Sequence, residues 1–197
     1  DLLIEYALKA NLGIVFQTVD DLVSGSHYRL YKLHGSVNWT HPAAVPDDPQ
    51  PTVRQMIDRA GADLKIDSQS FHRIDNPGDQ GSRGILYPAL AIPVLTKNAF
   101  ECPSGHLGRL LDELGQVDRI LVIGWRGSER NFLQLLDSAV DWGRLRATLV
   151  VAESLDAARM TEASIAAACS KVGTVDLFGE GFTGLLQTGG LAEFLRV

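Results

Sequence analysis

His34 is the side chain in this sequence best suited to proton transfer near neutral pH. It follows an alternating apolar and basic run, residues 28–33, which predicts a half-buried strand, and it precedes Gly35 and Ser36. An imidazole at the end of a strand can act as a general base, because its ordinary pKa lies close to neutrality. The alternative is a half-buried histidine that donates to a loop carbonyl.

The remaining histidines lie in polar segments or at a helix start, and no pair has the i, i+4 spacing of a metal site: His27, His41, His72 and His106.

A second group of candidates follows three predicted strands. Gly124–Ser128, with Trp125 inside it, joins a buried strand to a helix whose N-terminus favours an anion. Glu153 follows the next strand, where a carboxylate can bind ribose hydroxyls, and Gly179 follows the third. Each has a structural alternative: ordinary turn chemistry for the glycines, packing for Trp125 (as for Trp39), and a helix-capping pair with Ser154 for Glu153.

The elements that position these residues predict an α/β fold. The order β-α-β-α-β over residues 119–178 is half of a Rossmann-like, doubly wound parallel sheet, in which ligands bind beyond the carboxyl ends of the strands. Its strands are expected at 119–124, 147–152 and 172–178, and its helices at 132–140 and 155–169. The first strand is a continuous apolar run, which predicts burial on both faces. A short helix at 189–195 closes the chain.

The N-terminal part is predicted to be less regular. A helix over residues 1–11 ends near Gly13, and a strand follows at 13–19. Residues 40–83 hold five of the eight prolines and predict an insertion or small module, with a helical pattern only at 53–64. A strand is expected at 85–87 and a helix from Ser104. Because the chain begins at Asp1 within an amphipathic pattern, we interpret it as part of a longer polypeptide.

Composition excludes several classes of function. A net charge of −6 argues against duplex nucleic acid as the main partner, since phosphate contacts need clustered Lys and Arg. The two cysteines, Cys102 and Cys169, make neither a disulfide framework nor a zinc site by themselves. No apolar stretch reaches the ~20 residues that span a bilayer, and no secretory signal opens the sequence. We therefore expect a cytoplasmic protein with no membrane partner.

Four segments carry a resemblance to a known family. Tyr31–Trp39 (Tyr-Lys-Leu-His-Gly-Ser-Val-Asn-Trp) is similar to the "K-L-H-G-S-[IV]-N-W" segment of bacterial sirtuin-like NAD-consuming domains. Asp1–Glu5 resembles the end of that family's "T-x-N-Y-D-x-L-[IL]-E" motif, and Ile123–Glu129 resembles its "I-G-[YW]-S-x-S-D" turn. Pro88, Pro93 and Lys97 fall where the family has a "P…P…K" segment. The segments occur in the family's order over nearly the whole chain.

The resemblance implies an NAD-binding fold in which His34 is the base toward a nicotinamide-ribose hydroxyl and Asp1 contacts the carboxamide. The matching turn places Gly124, Trp125 and Ser128 at the cofactor, and Glu153 and Gly179, which follow the other two strands, are the further candidates for cofactor binding. A further asparagine and the pyrophosphate loop "G-A-G-x-S" are expected before residue 1. The chain then covers the C-terminal two-thirds of one domain and by itself lacks parts needed for catalysis.

Departures from the family pattern reduce the number of activities that the resemblance implies. The four-cysteine zinc ribbon of protein-deacylating sirtuins is replaced by a cysteine-free loop, which resembles the zinc-less branch that hydrolyses NAD, including anti-phage defence enzymes. No zinc is expected. Arg126 and Glu129 stand where serine and aspartate are usual, and Ala152 where an asparagine for the adenosine ribose is common, although Glu153 offers a substitute.

Three functions therefore remain open from the sequence. The first is an NAD hydrolase that releases nicotinamide and ADP-ribose. The second is a module that senses NAD or ADP-ribose without turnover, and the third is a zinc-independent deacylase or ADP-ribosyltransferase. The resemblance also suggests fused partner domains and a homo-oligomer.

Overall fold

Two β-sheets organise the chain, and they differ in the direction of their strands. The computed structural model describes residues 2–44, 52, 54–55, 65–74, 85–91 and 99–196. These residues form a mixed α/β structure with one antiparallel and one parallel sheet. The chain divides into two compact units, the first comprising Asp1–Ile92 with Phe100–Arg109 and the second Pro93–Ala99 with Leu110–Val197.

The first helix confirms the predicted N-terminal helix and its end. Helix α1 spans Leu3–Leu12 and stops at Gly13, whose left-handed backbone (φ 68°) lets its N–H donate to the Lys9 carbonyl at 3.1 Å. The side chains of α1 are distributed unusually. Its large apolar residues are mostly exposed, whereas the carboxylate of Glu5 is buried.

Two predicted strands, at 13–19 and 28–33, are wrong. The described structure has no strand before Gly35, and a short helix, α2 (Asp21–Ser24), lies between the two segments. The carboxylate of Asp21 accepts the N–H groups of Gln17 and Thr18 at 2.7 and 2.8 Å, so those donors are not available to a neighbouring strand. These two bonds hold the pKa of Asp21 below its ordinary value, with Thr18 the larger contributor. Of the apolar residues that suggested a strand, Phe16 and Val19 are buried from a loop instead.

The antiparallel sheet is built around one long strand. Strand β1 (Gly35–Ala44) pairs with β2 (Lys65–Ile66), β3 (His72–Arg73) and β4 (Ile85–Leu90). Thr40 pairs with both His72 and Pro88, so β3 and β4 lie on opposite sides of β1. The strand predicted at 85–87 is confirmed and continues through Pro88. Because β4 pairs only with β1 among the described strands, it is an edge strand, where a residue without an N–H is tolerated.

Part of the predicted insertion at 40–83 belongs to this sheet. Its described residues include the end of β1 and the whole of β2 and β3. The helical pattern predicted at 53–64 lies outside the described residues, apart from residues 54–55.

The parallel sheet confirms the predicted β-α-β-α-β order. The elements of this part of the chain are α3 (Ser104–Leu114), β5 (Arg119–Ile123), α4 (Arg130–Ala139), β6 (Ala147–Val151), α5 (Leu155–Ala168), β7 (Val175–Phe178), α6 (Gly181–Gln187) and α7 (Gly190–Arg196). The strands pair in the order β5-β6-β7, with every residue of the central strand buried or half-buried. Helix α6 is absent from the sequence-based expectation, and the predicted final helix corresponds to α7.

Burial within the parallel sheet differs from the expectation for its first strand. The expectation that β5 is covered on both faces is met only in part, because residues 119–122 are buried or half-buried whereas Ile123 at the end of the strand is exposed. Strand β6 has that burial throughout: Leu149 and Val151 pack in a cluster with Leu185 and Phe194, and Val150 on the other face is also buried.

None of the helices in the described ranges is long and apolar enough to cross a bilayer.

A histidine is enclosed in the core of the first unit. The ring of Trp39 meets Phe71 and His106 edge-on, each with ring centroids 5.9 Å apart, and His106 is only 1% exposed. The Nε2 atom of His106 lies 3.6 Å from Oδ1 of Asp20, which is beyond normal hydrogen-bond length. Burial lowers the pKa of His106 below its ordinary value of 6.5, although the Asp20 carboxylate acts in the opposite direction.

The buried His106 predicts a loss of stability in mild acid. Below pH 6.5 the unfolded chain binds a proton at this imidazole that the folded chain takes up only at lower pH, so the free energy of unfolding falls as pH falls. Urea unfolding at pH 7.5 and 5.5 should show a larger loss of stability for the wild-type protein than for His106→Leu. Equal losses in the two proteins would contradict this assignment.

Candidate functional site

The candidate base His34 lies on a tight turn before β1. The prediction that a strand leads into His34 is wrong, since the strand begins after it, at Gly35. The turn is closed by the Gly35 N–H, which donates to the carbonyl of Lys32 at 3.3 Å. On its outer side the His34 carbonyl accepts the N–H of Ala91 at 2.8 Å, and the Leu33 carbonyl accepts that of Glu101 at 2.8 Å. The backbone of the turn is thus held at three consecutive residues.

Gly35 is required by the geometry of this turn. Its φ of +74° is left-handed, a region that L side chains rarely adopt. A Cβ at this position would also overlap the carbonyl oxygen of Ala89 on β4. The glycine therefore allows β1 and β4 to approach each other beside His34, whose imidazole is half-buried and lies 6.3 Å from the ring of Phe100.

A buried polar network surrounds the base of the same turn. The carboxylate of Glu5 on α1 forms ion pairs with Lys32 and with Arg73, the latter at 2.6 Å. The Lys32 ammonium also donates to the hydroxyl of Ser36 at 2.8 Å, and that hydroxyl donates to Oδ1 of Asn38 at 2.8 Å. We call these five residues the Glu5 network. It joins α1, the His34 turn, β1 and β3 within the first unit.

The Glu5 network borders an open cavity of about 570 Å³. Its wall carries both polar and apolar side chains: Glu5, Lys9, Asn38 and Arg73 supply charged or polar groups, and Leu2, Ile74 and residues 14–16 supply apolar surface.

Sequence reasoning singled out His34 but gave no role to the members of the network. Four of the five lie in the segments that carry the family resemblance, and this signal was present in the sequence. Arg73 lies in the segment read as an insertion, and nothing in its neighbourhood marks it. Asp1 lies outside the described residues.

The residues predicted to bind the cofactor lie in the second unit, along the edge of the parallel sheet that the carboxyl ends of its strands form. Gly124 directly follows β5, Glu153 lies two residues after the end of β6, and Gly179 directly follows β7. The structure therefore brings these residues to neighbouring strand ends. Gly124 is exposed at φ +64°, with no protein atom within 4 Å of the position a Cβ would take. Ser128 and Glu153 are also exposed. This edge offers an open glycine backbone next to a carboxylate and a hydroxyl.

Two residues of this group have packing partners that account for them. The Trp125 ring packs edge-on against Phe132 with centroids 5.3 Å apart, and its carbonyl accepts the Thr161 hydroxyl at 3.1 Å. At Gly179 a Cβ would overlap the backbone nitrogen of Leu155, so the glycine permits the close approach of β7 to the start of α5. The capping role of Ser154 is confirmed, because its hydroxyl accepts the N–H of Ala157 at 3.2 Å.

The other histidines differ partly from expectation. His41 and His72 lie in strands β1 and β3 and not in loops. His41 is buried, with Nδ1 2.8 Å from the Ser70 carbonyl and Nε2 2.7 Å from Oε1 of Glu101, so its ring links β1 to two other segments. Within the described ranges, no group of three or more His, Cys, Asp or Glu side chains is placed to hold a metal ion.

Neither thiol has the properties of a nucleophile. Burial, with a smaller contribution from Glu101, raises the pKa of the Cys102 thiol to about 11. Burial, assisted by Asp137, raises the pKa of Cys169 as well. Both thiols are therefore protonated near neutral pH, the form that reacts slowly.

Gly35→Ala should destabilise the protein by about 2–5 kcal/mol, from left-handed backbone strain and from overlap with the β4 backbone. Gly173→Ala is the matched control, since Gly173 has no left-handed φ and no atom within 4 Å of the place where a Cβ would lie. It should change stability by less than about 0.5 kcal/mol. Urea unfolding measures both; similar effects at the two sites would show that the turn does not require glycine.

Comparison of the chain with models of protein families, with curated proteins and with solved structures finds no match in any of the three.

Proposed function

We propose that this chain belongs to an NAD hydrolase, related to zinc-less sirtuin-like domains, that cleaves NAD to nicotinamide and ADP-ribose. The observation that carries the proposal is the Glu5–Lys32 ion pair. It joins, in one buried network, two segments that resemble family motifs, Asp1–Glu5 and Tyr31–Trp39, although 25 residues lie between them in the sequence. Contact between the two segments supports reading them as parts of one site.

The parallel sheet supports the cofactor half of the proposal. We propose that its three strands are part of a Rossmann-like, doubly wound sheet, with the ribose and phosphates of NAD against the edge formed by Gly124 and Glu153. The left-handed glycine leaves open space at this edge, and α4 begins six residues further on. A backbone free of side-chain atoms is what close approach of a pyrophosphate requires.

The proposed chemistry breaks the bond between the ribose C1′ and the nicotinamide nitrogen. The bonding electron pair goes to nicotinamide, which leaves uncharged, so no general acid is needed. Positive charge develops on the ribose, and His34 stabilises it by accepting the proton of a ribose hydroxyl. A water molecule then forms the new bond to C1′ and releases one proton to the solvent, and His34 returns its proton to the ribose oxygen, so that nicotinamide, ADP-ribose and one proton are formed. The half-buried position of the imidazole suits this role, since it keeps the ring accessible while limiting bulk water.

Two observations favour a second candidate, a module that binds NAD or ADP-ribose without turnover. Arg126 and Ala152 replace residues that the family uses near the cofactor, and both positions lie at the same sheet edge. A zinc-independent deacylase or ADP-ribosyltransferase uses the same bond cleavage but passes ADP-ribose to another acceptor. Product analysis separates them: free ADP-ribose from a hydrolase, an ADP-ribosylated acceptor from a transferase, acyl-ADP-ribose and a free amine from a deacylase, and none of these from a sensor.

His34→Ala in the full-length protein should reduce NAD hydrolysis by about 10²–10⁴-fold, the usual contribution of a general base. NAD binding should persist, because a base that acts in the transition state adds little ground-state affinity. Turnover measured by nicotinamide release, with binding measured by calorimetry, tests both statements. A folded His34→Ala protein that hydrolyses NAD at the wild-type rate would rule out this mechanism.

Gly124→Val should weaken ADP-ribose binding by at least about tenfold, because its side chain would fill the space next to the glycine backbone. Gly189→Val is the matched control: Gly189 has φ +75° and an equally open Cβ position but lies between α6 and α7. Both variants carry the same backbone strain, so only Gly124→Val should affect the affinity measured by calorimetry. Equal affinities for the two would move the cofactor site away from this edge.

A further inference from the structure

We infer that Lys32 is a positioning residue for His34. This role rests on the proposed function, because it presupposes that His34 is the catalytic base. Lys32 and Ser36 stand two residues before and two residues after His34. The Lys32 ammonium donates to the Ser36 hydroxyl at 2.8 Å and so bridges the two ends of the turn. The same ammonium is ion-paired with Glu5 on α1.

Burial makes this bridge rigid. Lys32 is 8% exposed, Glu5 is 7% exposed, and Ser36 is fully enclosed. If this ammonium moved away, it would lose its carboxylate partner and leave Glu5 with Arg73 alone, and losing an ion pair is costly away from water. The side chain of Lys32 therefore restrains the spacing of residues 32 and 36, and through it the backbone that carries His34.

The Ser36 hydroxyl continues the restraint into the sheet. It donates to Oδ1 of Asn38, two residues further along β1. The carbonyls of Lys32 and His34 accept the N–H groups of Gly35 and Ala91, and the exchange rates of these two amides report whether the turn is closed. Holding a catalytic group within about 1 Å of its working position is worth roughly 10²-fold in rate.

The test compares Lys32→Met with Leu185→Ala in the full-length protein. Methionine keeps the length of the side chain but removes the charge and the donors. Leu185 is buried in the core of the second unit, so its truncation lowers the melting temperature without touching the turn. Hydrogen exchange of the Gly35 and Ala91 amides and steady-state NAD hydrolysis are measured for both variants at 25 °C.

Lys32→Met should speed the exchange of the two amides at least about tenfold and lower kcat by about 10–100-fold, with KM for NAD unchanged. Ser36→Ala should give the same changes to a smaller extent. Leu185→Ala should lower the melting temperature while leaving both amides and kcat as in the wild-type protein.

Two results would overturn the inference: wild-type exchange of the Gly35 and Ala91 amides in Lys32→Met, or a wild-type kcat in that variant. Equal effects of Lys32→Met and Leu185→Ala would assign Lys32 to general stability alone. If the wild-type protein hydrolyses no NAD, the proposed function fails, and the exchange rates then decide whether Lys32 holds the turn.

Discussion

A carboxylate buried beneath helix α1 sets the arrangement of the first unit. Glu5 is the one buried residue of that helix, and it is held by an ammonium from the His34 turn and a guanidinium from β3. A buried charge is tolerated only when its partners are in place, so three segments distant in sequence are required to meet at one point. Apolar contacts can adjust by small shifts, whereas this arrangement has few alternatives. The exposed apolar face of α1 follows from it, because the helix turns its charge inward.

The second unit depends on a different kind of interaction. Strand β6 is buried on both faces, and the cluster of Leu149, Val151, Leu185 and Phe194 on one of them contains no charge. Such packing stabilises the sheet in proportion to the apolar area buried and leaves the strand ends free to vary. The open glycine at Gly124 and the exposed Glu153 lie at those ends.

The two kinds of construction suit the two tasks in the proposed reaction. Proton transfer needs an imidazole held in one orientation, and a paired charge network restrains the turn that carries it. Binding of a ribose and its phosphates depends on access to backbone and on exposed polar groups, which a strand edge supplies without a dedicated network. The Glu5 network and the open edge of the parallel sheet therefore rely on different physical interactions, paired buried charges in the first and exposed backbone and polar groups in the second.

The amino-acid sequence by itself determined most of the regular elements of the second unit, helix α6 excepted. The apolar runs at β5 and β6, the periodic helices between the strands and the Ser154 cap are local signals, and each appears in the structure close to its predicted position. The end of α1 at Gly13 is likewise a local signal, since the left-handed φ is a property of one residue. The same sequence also marked His34 and the motif that contains it.

Only the tertiary structure decided how residues 13–33 fold and which side chains meet around His34. The pattern of Phe16 and Val19 resembles a strand, but burial from a loop satisfies the same residues, and Asp21 takes the N–H groups that a strand would have used. The pairing of Glu5 with Lys32 and Arg73 joins residues up to 68 positions apart. No local pattern encodes such a contact, because its energy depends on desolvation of all three charges together, and that exists only once the chain is folded.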